Sequence, residues 1–178
     1  MKSMRFQSIV GKHKNWIYTY ALYFLGNEND AKDVTQEVLL KVWQNITRIK
    51  TGATRTWITK TTRNLCIDYA RRNNTIQRHF EPMTDDIADL VPNSTPESDP
   101  FETAHITIVT EHIQNALEYL PDIQKSAVIM RDVQDMSYRE ISKILDLPLN
   151  TTKVYIMRGR QALRDNLIQR FKIDNVNN

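Results

Sequence analysis

The sequence predicts an all-α protein made of two small helical units joined by an acidic, proline-rich linker. Three observations predict it. Apolar residues recur at three- and four-residue intervals on both sides of the middle of the chain, as helices with one buried face require. Period-two alternation of useful length occurs nowhere, so strands are not expected. Four of the six prolines, Pro82, Pro92, Pro96 and Pro100, fall among Asp85, Asp86, Asp89, Asn93, Ser94, Glu97, Ser98 and Asp99. That composition favours an extended or poorly ordered linker over residues 80–101.

In the N-terminal unit, Ile17, Ala21, Phe24 and Leu25 share one helical face, and Ala31, Val34, Val38, Val42 and Ile46 share another. Gly26 and Asn27 punctuate between them. The second helix also has a polar face of Lys32, Asp33, Gln36, Glu37, Lys41 and Gln44 that a core does not need. Thr51, Gly52 and Ala53 break the pattern. A short third helix is expected from Thr54 or Arg55, with Trp57, Ile58 and Thr61 inward, and a bend at the stretch Thr62, Arg63, Asn64, which contains weak helix formers. A fourth helix should then run from about Cys66 to Gln77. Trp43 and Trp57 fall near the apolar faces of their helices and are expected in the core.

Beyond the linker, Ile106, Val109, Ile113, Leu117 and Leu120 define a helix that Pro121 stops, and another follows from about Asp122 to Asp132. Ser137-Tyr138-Arg139-Glu140 is a capping box, so a helix starts there and carries Ile141, Ile144 and Leu145 inward. Pro148 interrupts. Asn150 is a plausible N-cap for a last helix with Ile156, Leu163, Leu167 and Phe171 on its apolar face, leaving 174–178 as a polar tail.

Composition limits function. The chain has 178 residues, 40% of them apolar, and no signal-peptide-like or membrane-spanning apolar block, which argues for a cytoplasmic protein. Its single cysteine, Cys66, allows neither an internal disulfide nor a cysteine-based zinc site within one chain. With four glycines and no GxGxxG or GxxxxGK pattern, nucleotide-cofactor folds are not indicated. His105 and His112 lie seven apart without further ligands and read as surface residues. No nucleophile-and-base arrangement stands out, so an enzyme is not expected, nor a small-molecule substrate, cofactor or metal.

Charge is more informative. Residues 1–78 carry 14 basic and 5 acidic side chains, residues 79–124 carry none and 10, and residues 125–178 carry 10 and 6. Two basic blocks therefore flank an acidic middle. Basic surfaces suit a polyanion, because neutralised phosphates release counterions. The last two helices, separated by about four residues, have the dimensions of a helix-turn-helix, whose second helix enters the major groove. Thr151, Lys153, Val154, Tyr155, Met157, Arg158 and Arg160 face outward from it, a set that can meet phosphates, base edges and thymine methyls.

These residues also carry a family resemblance. Ala116-Leu117-Glu118-Tyr119-Leu120-Pro121, then Met130 to Ile141 (MRDVQDMSYREI), then Thr152-Lys153 and Arg158-Gly159-Arg160-Gln161-Ala162-Leu163 resemble region four of the extracytoplasmic-function sigma factors of the sigma-70 family. Asn29 to Val38 (NDAKDVTQEV) with Trp43 resembles the polymerase-binding part of region two. Trp57-Ile58 with Arg63 to Arg72 (RNLCIDYARR) resembles its promoter-melting part. The resemblance implies region two over 1–79 and region four over 102–173. It implies a factor that binds RNA polymerase core, directs it to promoters and helps melt the minus-ten element.

The implied partners are promoter DNA, the clamp helices of the polymerase largest subunit, the beta flap and an anti-sigma factor. The resemblance places Asp33, Gln36 and Glu37 on the polymerase. It places Asn64 in a short loop that takes a flipped base, with Arg63, Asp68, Arg71 and Arg72 beside it. Arg131, Lys153, Val154, Met157 and Arg158 match positions that meet duplex DNA, Arg131 at phosphate. On the residues alone, Asn64 also fits a helix cap, Asp68 a helix N-terminal charge, and Arg71 and Arg72 plain surface cations. A helix-turn-helix regulator with a helical sensing domain is the competing reading. The sequence departs from the family at Thr152, where a buried valine is common, and at Val154 and Tyr155, where serine and arginine are frequent. Asp146 replaces a frequent turn glycine, which is tolerable if it adopts an ordinary helical or bridge conformation rather than a left-handed one.

Overall fold

The computed structural model describes residues 2–79 and 111–176, with side chains for 2–73, 111–170 and 172. The expected linker over 80–101 lies outside the described residues, as do His105, Ile106 and Val109. All regular structure among the described residues is helical.

Helix α1 spans Lys2–Leu25 and α2 spans Glu28–Asn45. Between them Gly26 adopts φ +68°, and its amide donates to the Leu22 carbonyl at 2.9 Å, which ends α1 as a left-handed glycine should. Asn27 then caps α2, its Oδ1 accepting from the Asp30 amide at 3.0 Å. Ile17, Phe24, Val34, Val38 and Val42 are fully buried, each contributing roughly 1.5–3 kcal/mol on leaving water. Arg5 ties α1 to the end of α2 by donating to the Ile46 carbonyl at 2.7 Å.

After a 3-10 turn at Thr51–Ala53, helix α3 runs unbroken over Thr54–His79. The two helices and the bend expected in that stretch are one element, so this unit has three α-helices rather than four. The threonine hydroxyls explain why. Thr59, Thr61 and Thr62 donate to the carbonyls of Arg55, Trp57 and Ile58 at 2.9, 2.8 and 2.8 Å. Groups that could have competed with the helix are thereby absorbed into it. Ile58, Leu65, Cys66 and Ile67 bury the inner face against α1 and α2.

In the C-terminal unit, residues 111–118 are helical and form α4. Helix α5 (Asp122–Val128) follows Pro121 and widens into a π-helical turn over Ile129–Val133, closed by Gln134 N donating to Ile129 O at 3.0 Å. Asp135 then takes φ +47°. Helix α6 (Tyr138–Leu145) begins with the expected capping box, the Ser137 amide donating to Glu140 Oε2 at 2.8 Å and the Glu140 amide to Ser137 Oγ at 3.3 Å.

Helix α7 covers Leu149–Val176 and extends into the expected polar tail. It starts one residue before Asn150, so Asn150 lies in its first turn and is not its cap. Asp146 has φ 55° and ψ 49°, the left-handed conformation and not the ordinary one in which replacing a glycine is tolerable. The turn geometry demands it: the Leu147 amide reaches back to the Ser142 carbonyl at 3.1 Å across that residue. Gly159 is required by contact. A Cβ there would lie 2.6 Å from Val128 Cγ2 and 3.2 Å from the Gln124 carbonyl, so α7 crosses α5 with no room for a side chain.

The two units share one apolar cluster, which runs from Ile17 and Phe24 through Cys66 to Ala127, Met130 and Ile141.

Candidate nucleic-acid interface

Helices α6 and α7 are separated by Asp146, Leu147 and Pro148. The Pro148 carbonyl accepts both the Thr152 amide at 2.9 Å and the Thr152 hydroxyl at 3.1 Å. Thr152 is fully buried there, filling the position of a common valine while satisfying its own hydroxyl. Ile156 is buried one turn on. The opposite side of the first turns of α7 is free of core, and Lys153, Val154, Met157 and Arg158 are exposed on it, Met157 by 62%. Thr151 and Tyr155 are half-buried at its edges. This is a helix N-terminal segment presenting two cations and two apolar tips to solvent.

Two of the expected contact residues are already engaged. Arg131 donates to the Met136 carbonyl at 2.9 Å, approaches Asp135 at 3.4 Å and lies over the Tyr138 ring, so it braces the turn before α6. Arg160 forms a paired hydrogen bond with the Asp132 carboxylate, Nε to Oδ2 at 2.9 Å, which pushes its pKa up. It joins α7 to the π turn rather than standing free. Gln161 and Arg164, not singled out from the sequence, line a cleft with Tyr138, Lys153, Ile156 and Met157. Their spacing from Lys153 and Met157 along one helix face was the available signal.

On α3, Asn64 is exposed in the middle of a continuous helix, neither in a loop nor at a cap. Asp68, likewise mid-helix, is no N-terminal charge. Asn64, Asp68, Arg71 and Arg72 recur at helical spacing and share an exposed face. Arg72 lies over the Tyr69 ring, 5.7 Å from its centre. Arg63 points elsewhere. Its Nε donates to Ser126 Oγ at 3.2 Å, and its Nη1 reaches Asn64 Oδ1 at 3.4 Å.

On α2, Asp33 and Gln36 are exposed and Glu37 is half-buried, with Lys41 3.8 Å from Glu37. Leu40, 55% exposed, follows Asp33 by seven residues and completes the same face; sequence reading passed over it. Trp43 is 39% exposed, against the expectation that it is core. It sits edge-on to Phe6 with Lys2 over its ring. Trp57 does pack against the core.

Residues 9–76 match the family model of sigma-70 region 2, and residues 110–163 that of sigma-70 region 4. The chain is 30% identical over 146 residues to the ECF RNA polymerase sigma factor EcfG of Rhodopseudomonas palustris, spanning 81% of this chain and 75% of that one. It belongs to the extracytoplasmic-function sigma factors. Sigma factors are transcription initiation factors, not enzymes. This sigma factor is also 34% identical over 159 residues to SigE of Mycolicibacterium smegmatis, a match covering 89% of this chain but 60% of that relative's length. To SigW of Bacillus subtilis it is 29% identical over 166 residues, 91% and 88% of the two chains. The fold resembles the sigma factor RpoE solved in complex with the anti-sigma factor NepR from Bartonella quintana, with a TM-score of 0.67, 19% identity, and 91% and 96% of the chains covered. No helix among the described residues of this sigma factor is long and apolar enough to cross a membrane.

Proposed function

We propose that this chain binds RNA polymerase core, carries it to specific promoters and assists opening of the minus-ten element. The observation that supports this best is the pairing of two separate exposed surfaces, the start of α7 and the outer face of α3, in a chain with both sigma regions. A single-site operator binder needs only the first. Region two is assigned to 1–79, the linker to 80–101, region four to 102–173 and a tail to 174–178.

The start of α7 suits duplex reading at the minus-thirty-five element. Lys153 and Arg158 supply phosphate neutralisation or base-edge donors, Val154 and Met157 offer apolar contact to thymine methyls, and Arg131 lies at phosphate. Thr151 and Tyr155 flank them. The row Asn64, Asp68, Arg71 and Arg72, with Arg63, suits an opened strand: cations track its backbone and an amide can meet an unstacked base. The face of Asp33, Gln36, Glu37 and Leu40 suits a protein partner, joining an exposed apolar side chain to polar ones, and is assigned to the clamp helices of the polymerase largest subunit. Region four is assigned to the beta flap. An anti-sigma factor is a further partner, as the RpoE and CnrH structures were solved with NepR and with the CnrY cytosolic domain.

Transcription from a mixed promoter library by core polymerase, with and without the chain, tests this. A defined set of start sites should appear only with the chain; none would return the helix-turn-helix regulator as the better reading.

A further inference from the structure

We propose that the cleft between the start of α6 and one flank of α7 seats the sugar-phosphate backbone bordering the major groove, with Arg164 as its outermost cation. The proposal rests on the reading of α7 as a duplex-reading helix given above, and adds a contact outside the row that meets bases.

The cleft holds about 280 Å³, with Tyr138 of α6 on one side and Lys153, Arg160 and Arg164 of α7 on the other. At about 100° and 1.5 Å per residue, these three cations fall within about 40° of one another around the helix and form a line about 16 Å long. The line lies between two other faces of α7. Thr152, Ile156 and Gly159 turn into the core on one side, and Val154, Met157 and Arg158 face solvent on the other. A helix in the major groove has base edges ahead of it and a phosphate strand along its flank. The cation line is on such a flank. Arg131, matched to a phosphate contact, lies over the Tyr138 ring at 5.1 Å, so the cleft adjoins it.

The three cations are not equivalent. Arg160 is committed to the Asp132 carboxylate by two hydrogen bonds, so that pair carries little net charge. Lys153 and Arg164 are exposed and have no ion-pair or hydrogen-bond partner among the described residues. Two unpaired charges at opposite ends of a cleft with a neutralised middle suit a chain of repeated negative charges. A small anion would need its cations converged on one point. A duplex strand carries one charge per roughly 3.4 Å of axis, so the line is long enough to follow more than one phosphate. The nearby acid is turned aside: Asp165 accepts from Gln161 Nε2 at 2.9 Å and lies about 100° round the helix from Arg164. The cleft also continues a face that suits base edges, which favours duplex over an acidic protein segment.

Arg164→Gln in the full-length chain tests this on two duplexes, one of random sequence and one from the promoters that the library transcription returns. On both, the fall of log affinity with log salt concentration should be shallower by about 0.9, the loss of one phosphate contact. Affinity at about 0.1 M salt should drop by up to about eightfold if parent and variant converge near 1 M. Arg164→Lys should restore the slope, and the thermal midpoint should hold because the side chain is exposed. Neutral methylphosphonates walked along each strand of the promoter duplex should find a position beside the minus-thirty-five element where the parent loses affinity and Arg164→Gln does not. An unchanged slope in Arg164→Gln, or a methylphosphonate profile identical to the parent's, would overturn the proposal and leave the cleft to an acidic protein segment. If replacing Lys153 and Arg158 by Ala left duplex affinity intact, the reading of α7 itself would fail, and the Arg164→Gln slope on random duplex would still decide the cleft.

Discussion

The Arg55 guanidinium lies 3.5 Å from the Glu140 carboxylate, whose other oxygen accepts the Ser137 amide at 2.8 Å. One side chain thus caps α6 and meets α3 of the other half. The bonds from Ser137, with Arg55 nearby, hold the Glu140 carboxyl below the ordinary 4.5. A carboxyl with the lower pKa in the folded state contributes stability that is whole above pH 4.5 and is lost as pH falls through the folded value. Denaturant melts between neutral pH and pH 3 should show this loss. Glu140→Gln, which can keep the reciprocal cap bond, should flatten it. Ser137→Ala should cost about 1 kcal/mol at neutral pH and less at pH 3, because the hydroxyl's bond to the ionised Glu140 carboxylate is lost with the cap.

Asp146 holds a left-handed conformation at the turn of the helix-turn-helix. Non-glycine residues reach that region at a cost of about 1 kcal/mol or more. Asp146→Gly should therefore raise stability by about 1 kcal/mol in a urea melt. Duplex affinity should stay unchanged, because Asp146 lies outside the exposed row of α7. A destabilised variant would show that the carboxylate itself supports the turn.

The Asp33, Gln36 and Glu37 face should fail as a docking surface without failing as structure. Charge reversal at Asp33 and Glu37 should abolish co-elution with core polymerase and leave the thermal midpoint in place, because neither side chain is in the core. Leu40→Ala should also weaken co-elution, through lost apolar contact at the end of the face. Retained co-elution in the charge-reversed chain would remove this face from the interface.

Duplex reading and strand capture should separate by mutation. Replacing Lys153 and Arg158 by Ala should weaken closed-complex formation and its salt dependence, with roughly 1–3 kcal/mol at stake for a base-reading arginine. Asn64→Ala should leave closed complexes nearly intact and impair opening. A template already mismatched over the minus-ten element should rescue the Asn64 variant more than the Lys153 and Arg158 variant, since the unpairing cost is removed in advance. Permanganate footprinting on duplex and mismatched templates reads the difference. Opening by Asn64→Ala as complete as the parent's would remove the role given to that residue.

What the sequence revealed followed from local chemistry. The Ser137 and Glu140 cap, the buried rows of α1 and α2, and the Gly26 and Asn27 boundary all depend on neighbours within a few residues. What it concealed depended on longer reach. Thr62 and Asn64 looked like a bend because intrinsic propensity takes no account of a hydroxyl bonded to its own helix. Trp43 looked buried because periodicity gives a face and not the depth of its cover. The left-handed Asp146 was hidden because its conformation is imposed by the bond from Leu147 to Ser142. The row on α3 was legible residue by residue, yet only a continuous helix sets Arg63 apart from the others, and its attachment to Ser126 spans 63 positions of sequence.

Cys66 is the chain's single cysteine; it is fully buried, and its thiol pKa is pushed up by burial, opposed in part by Lys125. A thiol in that state is nearly inert to alkylating reagents at neutral pH, because the reactive thiolate is scarce and shielded. The native sequence therefore carries its own clock. The rate at which a maleimide or a disulfide reagent consumes Cys66 counts the excursions that bare the inner side of α3, with no label to introduce. Comparing that rate between the free chain and the chain on core polymerase would time the breathing of this helix inside an initiation complex.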